Sequence, residues 1–297
     1  MRILVTGCNG QVGHELVSQG KSLNYEMFGF DQDRLDITQN TAVQKILNEY
    51  KPDIVINAAA YTAVDKAEQE IKLAYAVNKD GSANLTNACK MLNIPLLHIS
   101  TDYIFDGKQD RSYREDDPAN PAGVYGQSKW EGEQAVRNRL KKHIILRVSW
   151  VFGKQGNNFV KTMLRLAKER DELSVVADQY GSPTSATDIA KTLLTLAQKM
   201  SKKEEHKSFR WGTYHYSGTP KTTWHDFAKE IFATADTLGL IKAIPNVNAI
   251  TSAEYPTPAV RPKNSALDCN KIIKTFAIAQ PDWRMSLFNV LNEWKKT

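Results

Sequence analysis

The chain has 297 residues, 41% of them hydrophobic and 24% charged, with a net charge of +6 from 39 basic and 33 acidic side chains. That length suits one large domain or two unequal ones, and the scattered basic residues, clustered only briefly as at Lys202 and Lys203, form no nucleic-acid module. No apolar run nears the roughly 18 residues of a membrane span, and Met1–Gly7 turns to glycine too early for a signal peptide, so a cytoplasmic protein is expected.

Three widely spaced cysteines, Cys8, Cys89 and Cys269, form neither a disulfide framework nor a zinc site. The six histidines show no His-x-x-x-His spacing, so no catalytic metal is expected.

Short apolar runs then alternate with amphipathic stretches. Ile3–Val5 reads as a strand, Gln11–Gln19 as a helix ended by Gly20, and Glu26–Asp31 as a second strand. Thr38–Tyr50 reads as a helix with Thr38 as its cap. After Pro52, Asp53–Asn57 is apolar enough to be buried on both faces. A long helix around Leu73–Leu92, a strand over Pro95–Ser100, a helix around Val124–Leu140 and a strand over Ile144–Val148 follow. Five strands separated by helices predict a Rossmann-type, doubly wound parallel sheet.

Beyond Trp150 the rhythm loosens. A helix over Phe159–Arg170, a strand over Leu173–Ala177 and a helix over Thr187–Met200 lead to a polar loop, Ser201–Lys207. The Trp/Tyr-rich Arg210–Tyr216 segment precedes helices near Trp224–Leu238 and Trp283–Lys295. The expected division is a nucleotide-binding domain over 1–150 and a smaller, mixed α/β substrate domain built mainly from 151–297. Later segments are free to rejoin the first sheet.

Thr6–Gly13 follows the first strand and opens the first helix, with Gly7, Gly10 and Gly13 three apart. Glycine there lets the backbone turn tightly, approach a pyrophosphate and pack helix on sheet. The helix N-terminus then offers free N–H groups to the phosphates. A ligand-free glycine turn is the plainer alternative, and the strand–turn–helix setting favours the cofactor. Asp31, at the end of the second strand, stands where a carboxylate accepts from the adenosine ribose and repels a 2′-phosphate. That favours NADH, yet Arg34 close behind could accommodate NADPH, and a solvated turn aspartate reads equally well. Both coenzymes stay open.

The fourth strand leads into Ser100, Thr101 and Asp102 at its carboxyl end, the edge where ligands bind in an open parallel sheet. Tyr125 and Lys129 follow on the next helix, four residues apart and therefore on one face. Spacing alone proves nothing, because Tyr75 and Lys79 repeat it; but that second pair has no comparable partner. Thr101, Tyr125 and Lys129 can converge beside a nicotinamide. Hydride reduction of a ketone leaves an alkoxide that needs a proton, and a tyrosine ordinarily has a pKa of about 10. A nearby ammonium is expected to draw that value towards the working pH. Lys129 can also hold the nicotinamide ribose, and the Thr101 hydroxyl can bond the carbonyl oxygen. The plainer reading makes Tyr125 a loop aromatic and Lys129 an exposed charge.

Longer strings are more specific. Asn57–Glu68 (Asn-Ala-Ala-Ala-Tyr-Thr-Ala-Val-Asp-Lys-Ala-Glu), Ser100–Gly107 (Ser-Thr-Asp-Tyr-Ile-Phe-Asp-Gly), Arg147–Gly153 (Arg-Val-Ser-Trp-Val-Phe-Gly) and Asp178–Thr184 (Asp-Gln-Tyr-Gly-Ser-Pro-Thr) resemble the dTDP-4-dehydrorhamnose reductases of the extended short-chain dehydrogenase/reductase superfamily. The likeness runs essentially the whole length. It implies NAD(P)H-dependent reduction of the 4-keto group of dTDP-4-dehydro-L-rhamnose, the last step of dTDP-L-rhamnose synthesis.

The resemblance further implies that Gly10, Gln11 and Val12 line the pyrophosphate, Asp36 and Ile37 the adenine, and Ala60, Tyr61 and Thr62 the cofactor's ribose side. Thr101 and Asp102 would meet the sugar, Tyr125 would be the acid with Lys129 its tuner, and Trp150 would form part of the sugar pocket. Arg261 would meet the substrate diphosphate. The residues alone would read Trp150 as core and Arg261 as surface.

Some members of the family pair two subunits through magnesium held by glutamates. Glu15 and Glu293 stand where two such ligands are expected, but the third position is Thr187, beside Asp188, which leaves that set short. Monomer and homodimer both stay open.

Two rival classes are a non-catalytic, NADP-binding regulatory subunit of methionine adenosyltransferase and a nucleotide-sugar epimerase or dehydratase. The intact trio counts against the first. An epimerase would retain its cofactor through a cycle. A dehydratase needs an acidic pair at the fourth strand, where Asp102 is followed by Tyr103.

Overall fold

Six parallel strands carry the molecule: β1 (Arg2–Thr6), β2 (Glu26–Phe30), β3 (Ile54–Asn57), β4 (Leu96–Thr101), β5 (His143–Val148) and a sixth, Gly212–His215. The computed structural model describes residues 1–201 and 209–296. Apart from Ser201, which ends a helix, the predicted polar loop with Lys202 and Lys203 lies outside the described residues. From one edge the order is Gly212–His215, β5, β4, β3, β1, β2. The chain therefore turns to one side of β1 to make β2 and to the other to make β3. Such a reversal opens a crevice at the carboxyl ends of the strands, where ligands bind in open α/β sheets.

Burial explains why these segments are strands. Every residue of β3 and β5 is buried, as expected of parallel strands covered by helices on both faces. The sixth strand pairs with β5 from Gly212↔Ile144 to His215↔Arg147, so the Trp/Tyr-rich segment closes the sheet edge. Leu16, Ile189, Leu193 and Leu196 pack one face of the sheet, and Val43, Leu47, Leu85 and Val136 the other. A separate core joins helices Phe159–Leu166, Trp224–Thr237 and Trp283–Lys295 through Val160, Phe227, Phe232, Trp283 and Leu287. Beside it, Glu172–Val176 and Asn246–Ile250 form a two-stranded parallel ribbon.

Three local expectations need correction. The first helix runs from Gln11 to Ser22, past Gly20. Gly20 is a contact point, since a Cβ there would sit 2.3 Å from the Met27 sulfur. The second helix starts at Asn40, and Thr38 does not cap it; the Thr38 N–H instead donates to Asp36 Oδ1 at 2.9 Å. The long helix of 73–92 is interrupted by a π-helical turn, Ala76–Gly81, between Ile71–Tyr75 and Ser82–Leu92. Such turns aim side chains that a regular helix would misplace, and here that side chain is Asn78.

Candidate active site

The glycine turn is built for close approach. Gly7 has φ +69°, and a Cβ there would lie 2.7 Å from the Ala59 backbone. At Gly13 a Cβ would lie 2.1 Å from the Gly7 carbonyl oxygen. β1, the loop after β3 and the first helix thus meet without side chains between them. Gly10 caps the helix with no side-chain hydrogen bond, which leaves first-turn N–H groups to a ligand. Asp31 faces the same turn, accepting from Asn9 Nδ2 at 2.7 Å and from the Arg34 N–H at 3.1 Å. The Arg34 guanidinium lies over the Phe30 ring, 4.8 Å from its centre.

The loop after β3 is fixed by two buried asparagines. Asn57 accepts from the Thr6 hydroxyl at 2.7 Å and from the Ala59 N–H at 3.1 Å. Asn78 accepts from the Tyr61 N–H at 2.9 Å, donates to the Tyr61 carbonyl at 3.1 Å, and donates to the Ser128 hydroxyl at 3.0 Å. One amide therefore ties the Ala60–Thr62 loop to the helix Val124–Arg139, which carries Tyr125 and Lys129. That helix comes close to its neighbours through glycines: a Cβ at 132 would lie 2.2 Å from the Asn78 carbonyl oxygen.

β4 ends at Thr101, whose hydroxyl donates to Asp102 Oδ1 at 3.0 Å and accepts from the Tyr103 N–H at 3.2 Å. Asp102 is buried, and its Oδ2 has no partner; burial first of all pushes its carboxyl up to about 6. Tyr125 is half-buried, edge-on to Tyr103 with ring centres 5.5 Å apart. Lys129 is 2% exposed and donates to the Ile99 carbonyl at 2.7 Å. Burial pulls its ammonium down to about 8, against the pull of Glu133.

The phenol does not follow the expectation that the lysine makes it acidic. Burial raises Tyr125 to about 12, with the Thr101 hydroxyl lowering it and Asp102 raising it. The ammonium is turned towards the Ile99 carbonyl, and in the folded chain alone the phenol is firmly protonated.

One cleft of about 1070 Å³ gathers these parts. Gly7, Gly10, Gln11, Val12, Asp31, Asp36, Ile37, Ala60, Tyr61 and Thr62 line it, together with Thr101, Asp102, Tyr125, Lys129 and Trp150. Two candidates stand apart from this lining. Gly13 lies behind the turn. Arg261 is bound to Asp65, with Nη2–Oδ2 at 2.8 Å and Nη1–Oδ1 at 3.2 Å. Tyr75 and Lys79 are elsewhere: Lys79 pairs with Glu131 at 2.7 Å on the surface.

No group of three or more His, Cys, Asp or Glu side chains is placed to hold a metal ion among the described residues. At the positions where the resemblance implied magnesium ligands, Gln19 Nε2 donates to Glu15 Oε2 at 3.0 Å and to the Thr187 carbonyl at 3.1 Å. No helix among the described residues is long and apolar enough to cross a membrane.

Comparisons with known proteins give the chain's family. Residues 1–296 match the family model for the RmlD substrate binding domain. The dTDP-4-dehydrorhamnose reductase of Aggregatibacter actinomycetemcomitans is 47% identical over 293 residues, covering 97% of this chain and 98% of that protein. The chain belongs to the dTDP-4-dehydrorhamnose reductase family. A crystal structure of such a reductase from Clostridium acetobutylicum superposes with a TM-score of 0.90 at 40% identity, covering 99% of this chain and all of that one. The Bacillus anthracis reductase, in complex with NADP, gives 0.89 at 40% identity, covering 98% and 99%.

Within this reductase-family cleft, sequence reasoning missed the supporting residues. Asn78 looks like any polar helix residue until the π-helical turn aims it inward. Glu133 and Arg147, 14 residues apart, meet as a buried bidentate pair at 2.9 and 2.8 Å, and Arg147 also contacts His215 Nε2 at 3.2 Å. Trp224, which also lines the cleft, carries no local signal at all.

Proposed function

We propose that this protein reduces the 4-keto group of dTDP-4-dehydro-L-rhamnose with NADH or NADPH, giving dTDP-L-rhamnose. The observation that carries the reading is that Thr101, Tyr125 and Lys129 line the same cleft as a glycine turn with an uncapped helix N-terminus. The residues present suit a dinucleotide. Side chains at 7 and 13 would collide with backbone, and at Gly10 a Cβ would meet only the Gly7 carbonyl oxygen, at 3.2 Å, leaving that side open to a pyrophosphate.

In this reading Gly10, Gln11 and Val12 hold the pyrophosphate, Asp31 the adenosine ribose, Asp36 and Ile37 the adenine, and Ala60–Thr62 the ribose side. Reduced nicotinamide supplies the hydride when bound. Tyr125 gives its phenolic proton to the O4 oxygen as negative charge develops there, and the Thr101 hydroxyl, turning from Asp102 Oδ1, donates to the same atom. A phenol raised to about 12 is in the protonated form a reductase needs at its start. The ammonium of Lys129 then stabilises the phenolate until solvent returns the proton, and it holds the nicotinamide ribose.

Asp102 and Trp150 shape the sugar end. Arg261 would exchange Asp65 for the substrate diphosphate. We assign residues 1–150 mainly to the cofactor and 151–297 mainly to the substrate. The three cysteines are unpaired, as in a reducing compartment, which supports a cytoplasmic enzyme.

The test is loss of reduced-nicotinamide absorbance with NADH or NADPH, a dTDP-4-keto-6-deoxysugar and the 3,5-epimerase that makes the true substrate. Oxidation by the purified protein is expected. Binding of coenzyme with no oxidation of either would favour the regulatory-subunit reading.

A further inference from the structure

Trp150 follows β5 in the left-handed region, with φ +46°. A bulky residue holds that conformation only where its surroundings impose it. Those surroundings are visible. Trp224 opens the helix Trp224–Thr237, whose start is fixed by the Thr223 hydroxyl accepting from the Asp226 N–H. Its indole lies flat on that of Trp150, with ring centres 3.5 Å apart and planes within 8°. Phe159 closes on Trp224 with ring centres 4.6 Å apart. Gly181 leaves no space beside the Trp150 indole, since a Cβ there would sit 2.3 Å from Cε2. Trp150, Trp224 and Phe159 all line the cleft that holds Thr101 and Tyr125.

We propose that Trp224 is a positioning residue for the sugar: it holds the Trp150 indole flat, so that the pair forms an apolar platform turning C4 of a 6-deoxyhexose towards Tyr125. The proposal rests on the reductase reading above. A 6-deoxyhexose carries a methyl group on C5 where other hexoses carry hydroxymethyl. Its C–H groups suit the apolar bulk of stacked indoles. A C6 hydroxyl against the same wall would be desolvated without a partner, which disfavours the 6-hydroxy sugar. Trp224 therefore bears on selectivity as well as orientation, acting through Trp150.

Two indoles this close couple their transitions, and with their in-plane axes skewed the coupling gives a split circular-dichroism signal, which reports the stack independently of catalysis. Trp224→Leu keeps apolar volume and removes the ring. It is expected to lose the split signal and to raise KM for dTDP-4-dehydro-L-rhamnose tenfold or more, with the NADPH dissociation constant within twofold of wild type. Trp224→Phe restores a flat ring and is expected to bring KM back to within about threefold. Should the leucine variant not fold, Gly181→Ala pushes on Trp150 without touching Trp224, and the same rise in KM is expected. An unchanged KM in a variant whose split signal is gone overturns the proposal, as does equal weakening of NADPH binding. Failure of the wild-type protein to oxidise NADPH or NADH overturns the reductase reading, and this proposal falls with it.

Discussion

Gly13→Ala and Gly10→Ala separate the two tasks proposed for the glycine turn, stability and coenzyme binding. At 13 the added methyl carbon would lie 2.1 Å from the Gly7 carbonyl oxygen and 2.8 Å from the Cys8 Cα, both backbone atoms. Helix and turn must move apart by about 1 Å, and overpacking of that kind costs about 1–3 kcal/mol. With an unfolding entropy of about 2 cal/mol/K per residue, a 297-residue chain should lose about 2–5 °C in Tm. At 10 the same methyl meets only the Gly7 oxygen, at 3.2 Å. Alanine for glycine at a helix N-cap costs less than about 1 kcal/mol, so the free protein should melt nearly as wild type. Its coenzyme affinity should nevertheless fall tenfold or more, because the methyl would stand on the side proposed to face the pyrophosphate. Thermal melts with and without NADPH read both effects. Gly13→Ala melting with wild type, or Gly10→Ala keeping wild-type affinity, would refute the claim that this turn is a phosphate cradle.

Further expectations concern the acid, the buried carboxyl and coenzyme choice. Tyr125→Phe should lower kcat by about 10²–10⁴, the usual worth of a positioned proton donor, with the NADPH dissociation constant nearly intact; full turnover would remove Tyr125 from the chemistry. Asp102 is raised to about 6 chiefly by burial, so between about 3.9 and 6 the folded chain keeps a proton the unfolded chain has lost, and stability falls as pH rises through that window by up to about 3 kcal/mol. Asp102→Asn should therefore melt above wild type at pH 7.5 and close to it at pH 4; a Tm difference that ignores pH would contradict the sign. Asp31→Ala should shift the ratio of kcat/KM values towards NADPH, and an unchanged ratio would deny Asp31 the adenosine ribose.

What could be read from the sequence was what depends on neighbours in the chain. β3 shows itself because a parallel strand buried on both faces is a plain apolar run, and the turn after β1 because Gly7, Gly10 and Gly13 lie three apart. Tyr125 and Lys129 are one helical turn apart, so their shared face follows from arithmetic. Thr38 misled because a threonine at a helix entry is usually a cap, whereas here Asp36 holds its N–H. Gly20 misled because helix-ending and close-packing glycines look alike in a string. Arg147, His215 and Glu133 come from three elements, and only the return of Gly212–His215 to β5 brings them together. Trp224 belongs to the same class: its partner Trp150 is 74 positions away, and no periodicity links them.

The helix Val124–Arg139 shows why the pairing of Tyr125 with Lys129 is legible in the sequence and its support is not. A helix packed on a sheet ordinarily buries an apolar stripe. The buried residues of this one are Gly126, Ser128, Lys129, Gly132, Glu133 and Val136, so valine is its one buried hydrophobic side chain. A buried ammonium and a buried carboxylate are tolerated only with partners. Lys129 has the Ile99 carbonyl; Glu133 has Arg147 and, at 2.9 Å, Arg137; Ser128 has Asn78 and, at 2.9 Å, the Tyr125 carbonyl. Each partner lies on another element or on the next helical turn, so the polar face that places Tyr125 and Lys129 depends on the whole sheet having assembled. Tyr125 and Lys129 are local to one helical turn, and the contacts that let them sit there are not.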